Sequence, residues 1–201
     1  MSKSNLDYRE KIKIHLLESA KIKRKTAEEC SELVLKAAQI IIKAFKSGRK
    51  VMICGNGGSA ADSQHMAGEL VCVLHKSFER PALPALALTT DSSILTARSN
   101  DVGFDDIFKR QVEAFGKPGD VLIGISTSGT SVNVVAAFKA ARQTKIHTIL
   151  LTGNSLKAKN VADVVIRVPS DNTQFIQESH LSIEHVICEL VEQQLFSHGH
   201  Q

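Results

Sequence analysis

Residues 51–69 read VMICGNGGSAADSQHMAGE, in which a short apolar run leads into a glycine-rich loop and then into a helical pattern. The apolar run, residues 51–54, predicts a buried strand, and four later runs share its character. These runs are residues 85–88, 121–125, 148–151 and 164–168. They are too apolar to alternate, which is typical of parallel strands covered on both faces. Because helical patterns separate the runs, the sequence predicts an α/β fold with a doubly wound, five-stranded, mainly parallel sheet flanked by helices.

Helical periodicity dominates both ends of the chain. The first fifty residues predict two amphipathic helices before the sheet, one near residues 12–22 and a stronger one near residues 33–45 that ends by Gly48. A last helix with a long apolar stripe is predicted from about Thr173 to Phe196. One sheet offers too little surface to bury all of these faces. We therefore expect another subunit to cover part of them, and packing within one chain is the alternative.

The 201-residue chain shows no internal repeat and no linker rich in Pro, Gly or Ser. We expect one domain over residues 1–201, in which residues 50–201 form the α/β core and residues 1–49 form a helical extension used in oligomerisation. No apolar run approaches the roughly 20 residues of a membrane span, and the charged N-terminus lacks the apolar core of a signal peptide. A cytoplasmic protein is therefore expected, in which four scattered cysteines stay reduced and bind no metal.

The composition argues against nucleic-acid binding. The net charge is +4, but the chain has only eight Phe, one Tyr and no Trp with which to stack on bases. A solvated helix face accounts for the basic residues near the N-terminus. A mildly basic surface would also help to collect an anionic substrate.

The loop of residues 55–59, GNGGS, directly follows the first predicted strand. Together with Ala60 it matches the dinucleotide-binding pattern G-x-G-x-x-G/A. That pattern needs an acidic residue about twenty positions later to hold a ribose, and His75 stands in that region instead. The sequence therefore disfavours a nucleotide cofactor.

The loop of residues 126–131, STSGTS, directly follows the third predicted strand and opens onto a predicted helix over residues 132–142. The N-terminus of a helix carries unpaired amides and a partial positive charge, both of which suit an anion. Five hydroxyls in six residues add donors for phosphate oxygens, whereas ordinary capping needs only one. The two loops together predict a site for a small, polyhydroxylated phosphate ester.

His65 and Glu69 lie four residues apart in the helical pattern after the glycine loop, so they share one helix face. Placed just below a ligand loop, they could act as metal ligands or as an acid and a base. A plain surface pair is the alternative. His185, in the last predicted helix, would by itself be read as a structural histidine.

Four stretches of the sequence are distinctive when taken in order: CGNGGSAADSQHMAGEL, SNDVGFDDIF, GDVLIGISTSG with SVNV, and IQESHLSIEHV. In this order they resemble the phosphoheptose isomerases of the sugar isomerase (SIS) domain superfamily, over most of the chain from residue 50 onward. The resemblance implies an enzyme that converts sedoheptulose 7-phosphate into D-glycero-D-manno-heptose 7-phosphate, the first step toward activated heptoses for lipopolysaccharide or other surface sugars. It also implies a cytoplasmic homotetramer with zinc, one ion per subunit, and no nucleotide cofactor.

The resemblance further implies roles for individual residues. Glu69 corresponds to the catalytic base and His185 to its acid partner. The implied metal ligands are His65, Glu69, Gln177 and His185. The implied substrate contacts are Asn56, Gly57, Gly58, Ser59, Asn100, Asp101, Ser126, Thr127, Ser128, Ser131 and Gln177. Thr130 stands where the family usually has Asn, which bears on fine substrate preference and not on the reaction.

A rival function comes from relatives that act as non-catalytic scaffolds. SIS-domain proteins that bind the bacterial replication initiator resemble this chain in the glycine loop but lack the acid and base residues. This sequence has both Glu69 and His185, which favours an enzyme.

Helix geometry suggests where the site lies. In one straight helix, Gln177 and His185 are separated by about 12 Å of rise and about 80° of rotation. One metal could then hardly collect both of them together with His65 and Glu69. We therefore expect either that the last helix begins after Gln177, or that the active sites lie at subunit interfaces, with His185 beside a neighbouring chain's Glu69.

Overall fold

A computed structural model describes residues 7–75, 79–155 and 160–196 of the chain. In these ranges one sheet is flanked by helices on both faces. The helices are α1 (Tyr8–Lys46), α2 (Gly58–Val71), α3 (Ser92–Asp101), α4 (Ile107–Phe115), α5 (Val132–Gln143) and α6 (Thr173–Phe196), with a short 3₁₀ turn at Phe104–Asp106. The strands are β1 (Val51–Gly55), β2 (Ala85–Ala87), β3 (Val121–Ile125), β4 (His147–Thr152) and β5 (Val164–Arg167).

The sheet has the strand order β2-β1-β3-β4-β5, and each neighbouring pair is parallel. The predicted fold class is therefore confirmed. Strands β1 and β3 pair in register from Val51 with Val121 to Gly55 with Ile125, so both end at the same level. The chain adds β2 on one side of this pair and β4 and β5 on the other side. The carboxyl ends of β1 and β3 thus form the topological switch point at which α/β sheets bind ligands.

The core lies on both faces of the sheet, as the continuous apolar runs predict. Every residue of β1 and β3 is buried. Within β1, Val51 and Ile53 pack in a cluster with α1, α2 and α6, whereas Met52 and Cys54 pack in a cluster with α4 and α5. Because successive side chains of a strand point to opposite faces, both faces must be apolar.

The prediction of two N-terminal helices is wrong, because α1 is one helix of 39 residues. The side chain of Asp7 caps its start by accepting a hydrogen bond from the amide of Arg9. The polar stretch at residues 23–29 separates the two apolar stripes and suggested a break, but it contains no Gly or Pro and its residues favour helix. The helix ends before Gly48, which has a φ of 66°.

Helices α1 and α6 pack along one another and leave apolar side chains in contact with solvent. Those with at least two fifths of their surface exposed on the two helices are Tyr8, Ile12, Ile14, Leu16, Leu17, Leu35 and Val186. A set of this size exceeds scattered surface apolar residues and is typical of an association surface. None of the helices in the described part of the chain has the length and hydropathy that a membrane crossing requires.

Helix α6 carries a histidine into the core. His180 is fully buried, and neither ring nitrogen has a hydrogen-bond partner among the described residues. Burial lowers the pKa of His180 to about 4, and the backbone of Thr152 offsets only part of this effect. An unfolded histidine titrates near 6.5. The unfolded state therefore binds a proton that the folded state does not bind, and the free energy of unfolding declines as the pH falls from about 6.5 toward 4.

We expect His180→Leu to reduce the acid sensitivity of the fold. The histidine should contribute about 2 kcal/mol to the loss of unfolding free energy between pH 7 and pH 5, and leucine cannot take up the proton. Urea unfolding at the two pH values measures the difference. His147→Gln, which replaces an exposed histidine at the start of β4, is the control and should behave like wild type. Equal acid sensitivity in His180→Leu and wild type would contradict this assignment.

Candidate active site

The glycine loop joins the end of β1 to the start of α2. Gly57 adopts a φ of 57° and a ψ of −121°, a combination that side chains with a Cβ rarely adopt. Gly55 passes so close to its neighbours that an added Cβ would lie 2.9 Å from the carbonyl oxygen of Ile125. Both positions therefore require glycine. The loop presents the N-terminus of α2 at the switch point, beside the end of β3.

An amide pair ties this loop to the neighbouring one. Asn56 and Asn133 exchange two hydrogen bonds through their side-chain amides, each 2.9 Å long. The Oδ1 atom of Asn133 also accepts the amide of Val134, and Asn133 is buried. Sequence reasoning did not assign Asn133. The available signal was an Asn in the first turn of a helix that follows a phosphate-type loop.

The hydroxyl loop, residues 126–131, closes on itself at the start of α5. The hydroxyls of Ser126 and Ser131 lie 2.9 Å apart, and the amide of Gly129 donates to the hydroxyl of Ser126. Thr130 donates to the hydroxyl of Ser128 through both its amide and its side chain. Ser131 is the residue before the first turn of α5. Hydroxyls and helix amides therefore converge at one edge of the sheet, as expected for an anion site.

A cluster of three predicted site residues lies where α2 packs on α6. The Nε2 atoms of His65 and His185 are 2.9 Å apart, and the Nε2 atom of His65 is 3.7 Å from a carboxylate oxygen of Glu69. The side chains of His65 and Glu69 are 39% and 22% exposed, so a small molecule can reach them. One chain therefore brings the three residues together. Because α2 and α6 of one chain already meet, Glu69 and His185 need not come from different chains. Sharing of the active site between subunits stays a prediction.

Gln177 lies apart from this cluster. It stands within α6, so the alternative that the helix begins after Gln177 is wrong. Its side chain lies against Gly58, where an added Cβ would be 2.4 Å from the Nε2 atom of Gln177. Gln177 therefore contacts the N-terminal end of α2, next to the glycine loop, and His185 lies two turns further along α6.

Three other predicted contacts take positions that differ in accessibility. Ser59 is buried and its amide donates to the carbonyl of Asn56, so it supports the glycine loop from within. Asn100 and Asp101 are exposed at the end of α3, where the amide of Asn100 donates to the carboxylate of Asp101. An ion pair of 2.6 Å between Arg98 and Asp106 holds that segment.

The three clustered side chains are the donor types that zinc prefers. In a tetrahedral zinc site, two nitrogens at 2.0–2.1 Å from the metal lie about 3.3 Å apart. The two imidazole nitrogens here are 2.9 Å apart, and no group of three or more His, Cys, Asp or Glu side chains in the described ranges is already arranged for a metal ion. The residues fit zinc chemically, and the imidazoles would have to separate by a few tenths of an ångström.

Two further carboxyl groups, of Asp62 in α2 and Glu184 in α6, interact with each other. Glu184 is fully buried, and neither of its carboxyl oxygens has a hydrogen-bond partner in the described part of the chain. Burial raises the pKa of Glu184 to about 9, and the negative charge of Asp62 adds to the effect. Burial also raises the pKa of Asp62. Glu184 is therefore neutral near pH 7. Sequence reasoning did not assign it, although a glutamate among apolar residues of the last helix was visible.

Comparisons with known proteins identify the family to which the chain belongs. A family model described as SIS domain matches residues 15–153. The phosphoheptose isomerase of Roseiflexus sp. (strain RS-1) is 49% identical over 179 residues, which are 89% of this chain and 90% of that protein. The phosphoheptose isomerase of Aquifex aeolicus is 51% identical over 185 residues, which are 92% and 96% of the two chains.

Two solved structures share the fold at high sequence identity. Phosphoheptose isomerase GmhA from Neisseria gonorrhoeae has a TM-score of 0.84 and 40% identity, and the match covers 92% of this chain and 99% of that one. A phosphoheptose isomerase from Francisella tularensis has a TM-score of 0.88 and 37% identity, with coverage of 94% and 100%. The predicted resemblance is confirmed: the chain belongs to the SIS domain family and, within it, to the phosphoheptose isomerases.

Proposed function

We propose that this chain is an aldose–ketose isomerase that converts sedoheptulose 7-phosphate into D-glycero-D-manno-heptose 7-phosphate, an early step toward activated heptoses for surface polysaccharides. One observation carries the proposal. His65 and Glu69 lie on the helix that begins in the glycine loop, and His185 of α6 meets them there, in a chain 49% identical to a protein named phosphoheptose isomerase. Acid and base groups therefore lie next to the edge of the sheet where β1 and β3 end, which suits a sugar phosphate.

The phosphate is assigned to the hydroxyl loop. Ser126, Thr127, Ser128 and Ser131 surround the start of α5, whose amides and dipole favour an anion. The sugar chain would then extend toward Asn56, Gly57 and Gly58 and toward the cluster. Gln177 lies beside Gly58 and so borders this path. Asn100 and Asp101 are proposed to contact the sugar from the α3 side, and Ser59 to shape the loop.

The reaction moves a hydrogen between C1 and C2 through an enediol. Glu69 is proposed to remove a proton from C1 of the ketose and to return it to C2. His185 is proposed to protonate the oxygen on C2 and to accept the proton from the oxygen on C1, a task that suits an imidazole near neutral pH. His65 contacts the imidazole of His185 and lies beside the carboxylate of Glu69, so it orients both groups.

Zinc, one ion per subunit, is proposed to bind His65, Glu69 and His185. Bound there, it would polarise the carbonyl and enediol oxygens. Gln177 is the fourth ligand that the resemblance implies, but its side chain lies against Gly58, two turns of α6 from His185, and one chain does not bring it to the other three. No nucleotide cofactor is needed for this chemistry.

We also propose a cytoplasmic homotetramer whose active sites lie at subunit interfaces, with Glu69 and His185 of each site supplied by one chain. The exposed apolar residues of α1 and α6 support an assembly of this kind, since they would be covered by equivalent helices of other copies. All four cysteines are free, which suits a reducing compartment. The partners are thus further copies of the chain and a phosphorylated seven-carbon sugar, and neither nucleic acid nor a membrane.

The rival function, a non-catalytic scaffold that binds the replication initiator, is not favoured. Such a protein has no use for an acid and a base. Glu69 and His185 are both present here and belong to one cluster.

Glu69→Gln should leave the melting temperature near that of wild type and lower turnover at least about 100-fold, because it removes the base and keeps the shape of the side chain. The assay follows formation of the aldose from sedoheptulose 7-phosphate. Glu113→Gln makes the same chemical change at an exposed carboxylate of α4 and should remain fully active. Near wild-type turnover in Glu69→Gln would refute the proposed base.

Ser126→Ala and Ser128→Ala should weaken binding of the phosphorylated sugar. Each change removes a hydroxyl worth about 0.5–1.5 kcal/mol, or more when the partner is charged. The measurement is the rise in melting temperature that sedoheptulose 7-phosphate produces, which should shrink in both variants. Ser31→Ala, at an exposed position of α1, serves as the control. An unchanged ligand-induced rise in both loop variants would mean that the phosphate binds elsewhere.

A further inference from the structure

A buried guanidinium connects the two helices of the cluster. The side chains of Arg80 and Glu192 are 1% and 2% exposed, and the Nε atom of Arg80 donates to a carboxylate oxygen of Glu192 at 2.8 Å. The other arm of the guanidinium faces the end of α2. Its Nη2 atom donates to the carbonyl of Glu69 at 2.8 Å, and its Nη1 atom donates to the carbonyl of Leu70 at 3.0 Å.

These carbonyls belong to the last turn of α2. The last four carbonyls of a helix have no partner within the helix, and a cation placed there also opposes the negative end of the helix dipole. Arg80 therefore caps α2. One of the two capped peptides is that of Glu69, so the guanidinium directly restrains the backbone that carries the proposed base.

Glu192 restrains α6 in a corresponding way. It lies seven residues after His185, which places it on the same helix face about 10 Å further along. The same carboxylate oxygen that accepts from Arg80 also accepts the amide of Leu74, just after α2. The ring of Phe196 lies 5.8 Å from the guanidinium carbon and covers it from the end of α6. The ion pair is thus held from both helices.

The contacts between α2 and α6 occur in the same order along both helices. Gln177 lies beside Gly58, His185 beside His65, and Glu192 beside the last turn of α2 through Arg80. The catalytic cluster therefore sits between a loop contact at one end and the buried ion pair at the other. A change at the ion pair would shift one helix along the other and alter the distance between Glu69 and His185.

We propose that Arg80 and Glu192 are positioning residues for the isomerisation, whose ion pair sets the position of Glu69 relative to His185. This inference rests on the catalytic roles proposed above for those two residues. An arginine suits the task because its planar fork binds two successive carbonyls and a carboxylate at once, which a lysine cannot do. Proton transfer is sensitive to misplacement of about 1 Å, so a small shift should lower turnover more than substrate binding.

The test compares Glu192→Gln and Arg80→Lys with a matched control, Asp120→Asn. Asp120 is equally buried and pairs with Lys50 at 2.5 Å, at the opposite end of the strands from the loops. All three variants should melt at lower temperature than wild type. At a temperature where all are folded, Glu192→Gln and Arg80→Lys should lower kcat at least about 10-fold with KM changed less than about twofold. Asp120→Asn should keep both constants.

A double variant separates positioning from general loss of stability. If the ion pair acts through Glu69, then Glu192→Gln combined with Glu69→Gln should turn over no more slowly, within about twofold, than Glu69→Gln alone. The positioning role would be overturned if the kcat losses of Glu192→Gln and Glu69→Gln multiplied in the double variant. It would also be overturned if kcat fell equally in Asp120→Asn, or if it were unchanged in Glu192→Gln. A wild-type protein that fails to isomerise sedoheptulose 7-phosphate would instead refute the proposed function, and the positioning role would fall with it.

Discussion

The packing of α2 against α6 within one chain is the interaction on which the rest of the candidate site depends. Both helices run in the same direction, so successive turns of α2 and α6 meet in matching order. His65 meets His185 in the middle of this contact, and Glu69 lies one turn further along α2. Glu184, the neighbour of His185 in sequence, is buried with a raised pKa, whereas Glu69 is partly exposed, so Glu69 is the better placed of these two carboxyl groups to act as a base.

The sheet adds the second constraint. Because β1 and β3 are neighbours that end in register, the glycine loop and the hydroxyl loop lie side by side, and the amide pair of Asn56 and Asn133 locks them together. Helix α2 starts in the first of these loops and carries the cluster about two turns below it. The fold would therefore hold an anion at the sheet edge and the proposed base in α2 at a fixed separation, which is the arrangement a sugar-phosphate isomerase requires.

Local sequence patterns predicted much of this structure. All five strands were predicted to within a residue or two of their bounds, and α6 was predicted from Thr173 to Phe196 as observed, because continuous apolar runs and helical stripes are local signals. The error in α1 has a local cause too. A polar stretch without Gly or Pro interrupts the apolar stripe but does not end the helix.

The candidate site was only partly predictable, because its decisive contacts join residues far apart in sequence. The loop residues and the pair His65 and Glu69 follow from spacing within one segment. The contact of His65 with His185 spans 120 residues, and that of Arg80 with Glu192 spans 112, so neither leaves a local trace. Isolated charged residues in the sequence gave no indication that Arg80 caps the helix of the proposed base.

The most direct test of this account asks whether Glu69 and His185 act from the same chain. Inactive Glu69→Gln and His185→Ala chains, carrying different affinity tags, would be refolded together, and assemblies that contain both chains would be isolated through the two tags. If one chain supplies the whole cluster, no site in such a hybrid has both groups, and turnover of sedoheptulose 7-phosphate should stay at the level of the parent variants. Turnover well above both parents in the isolated hybrids would show that the two residues act across a subunit interface, and would contradict the account.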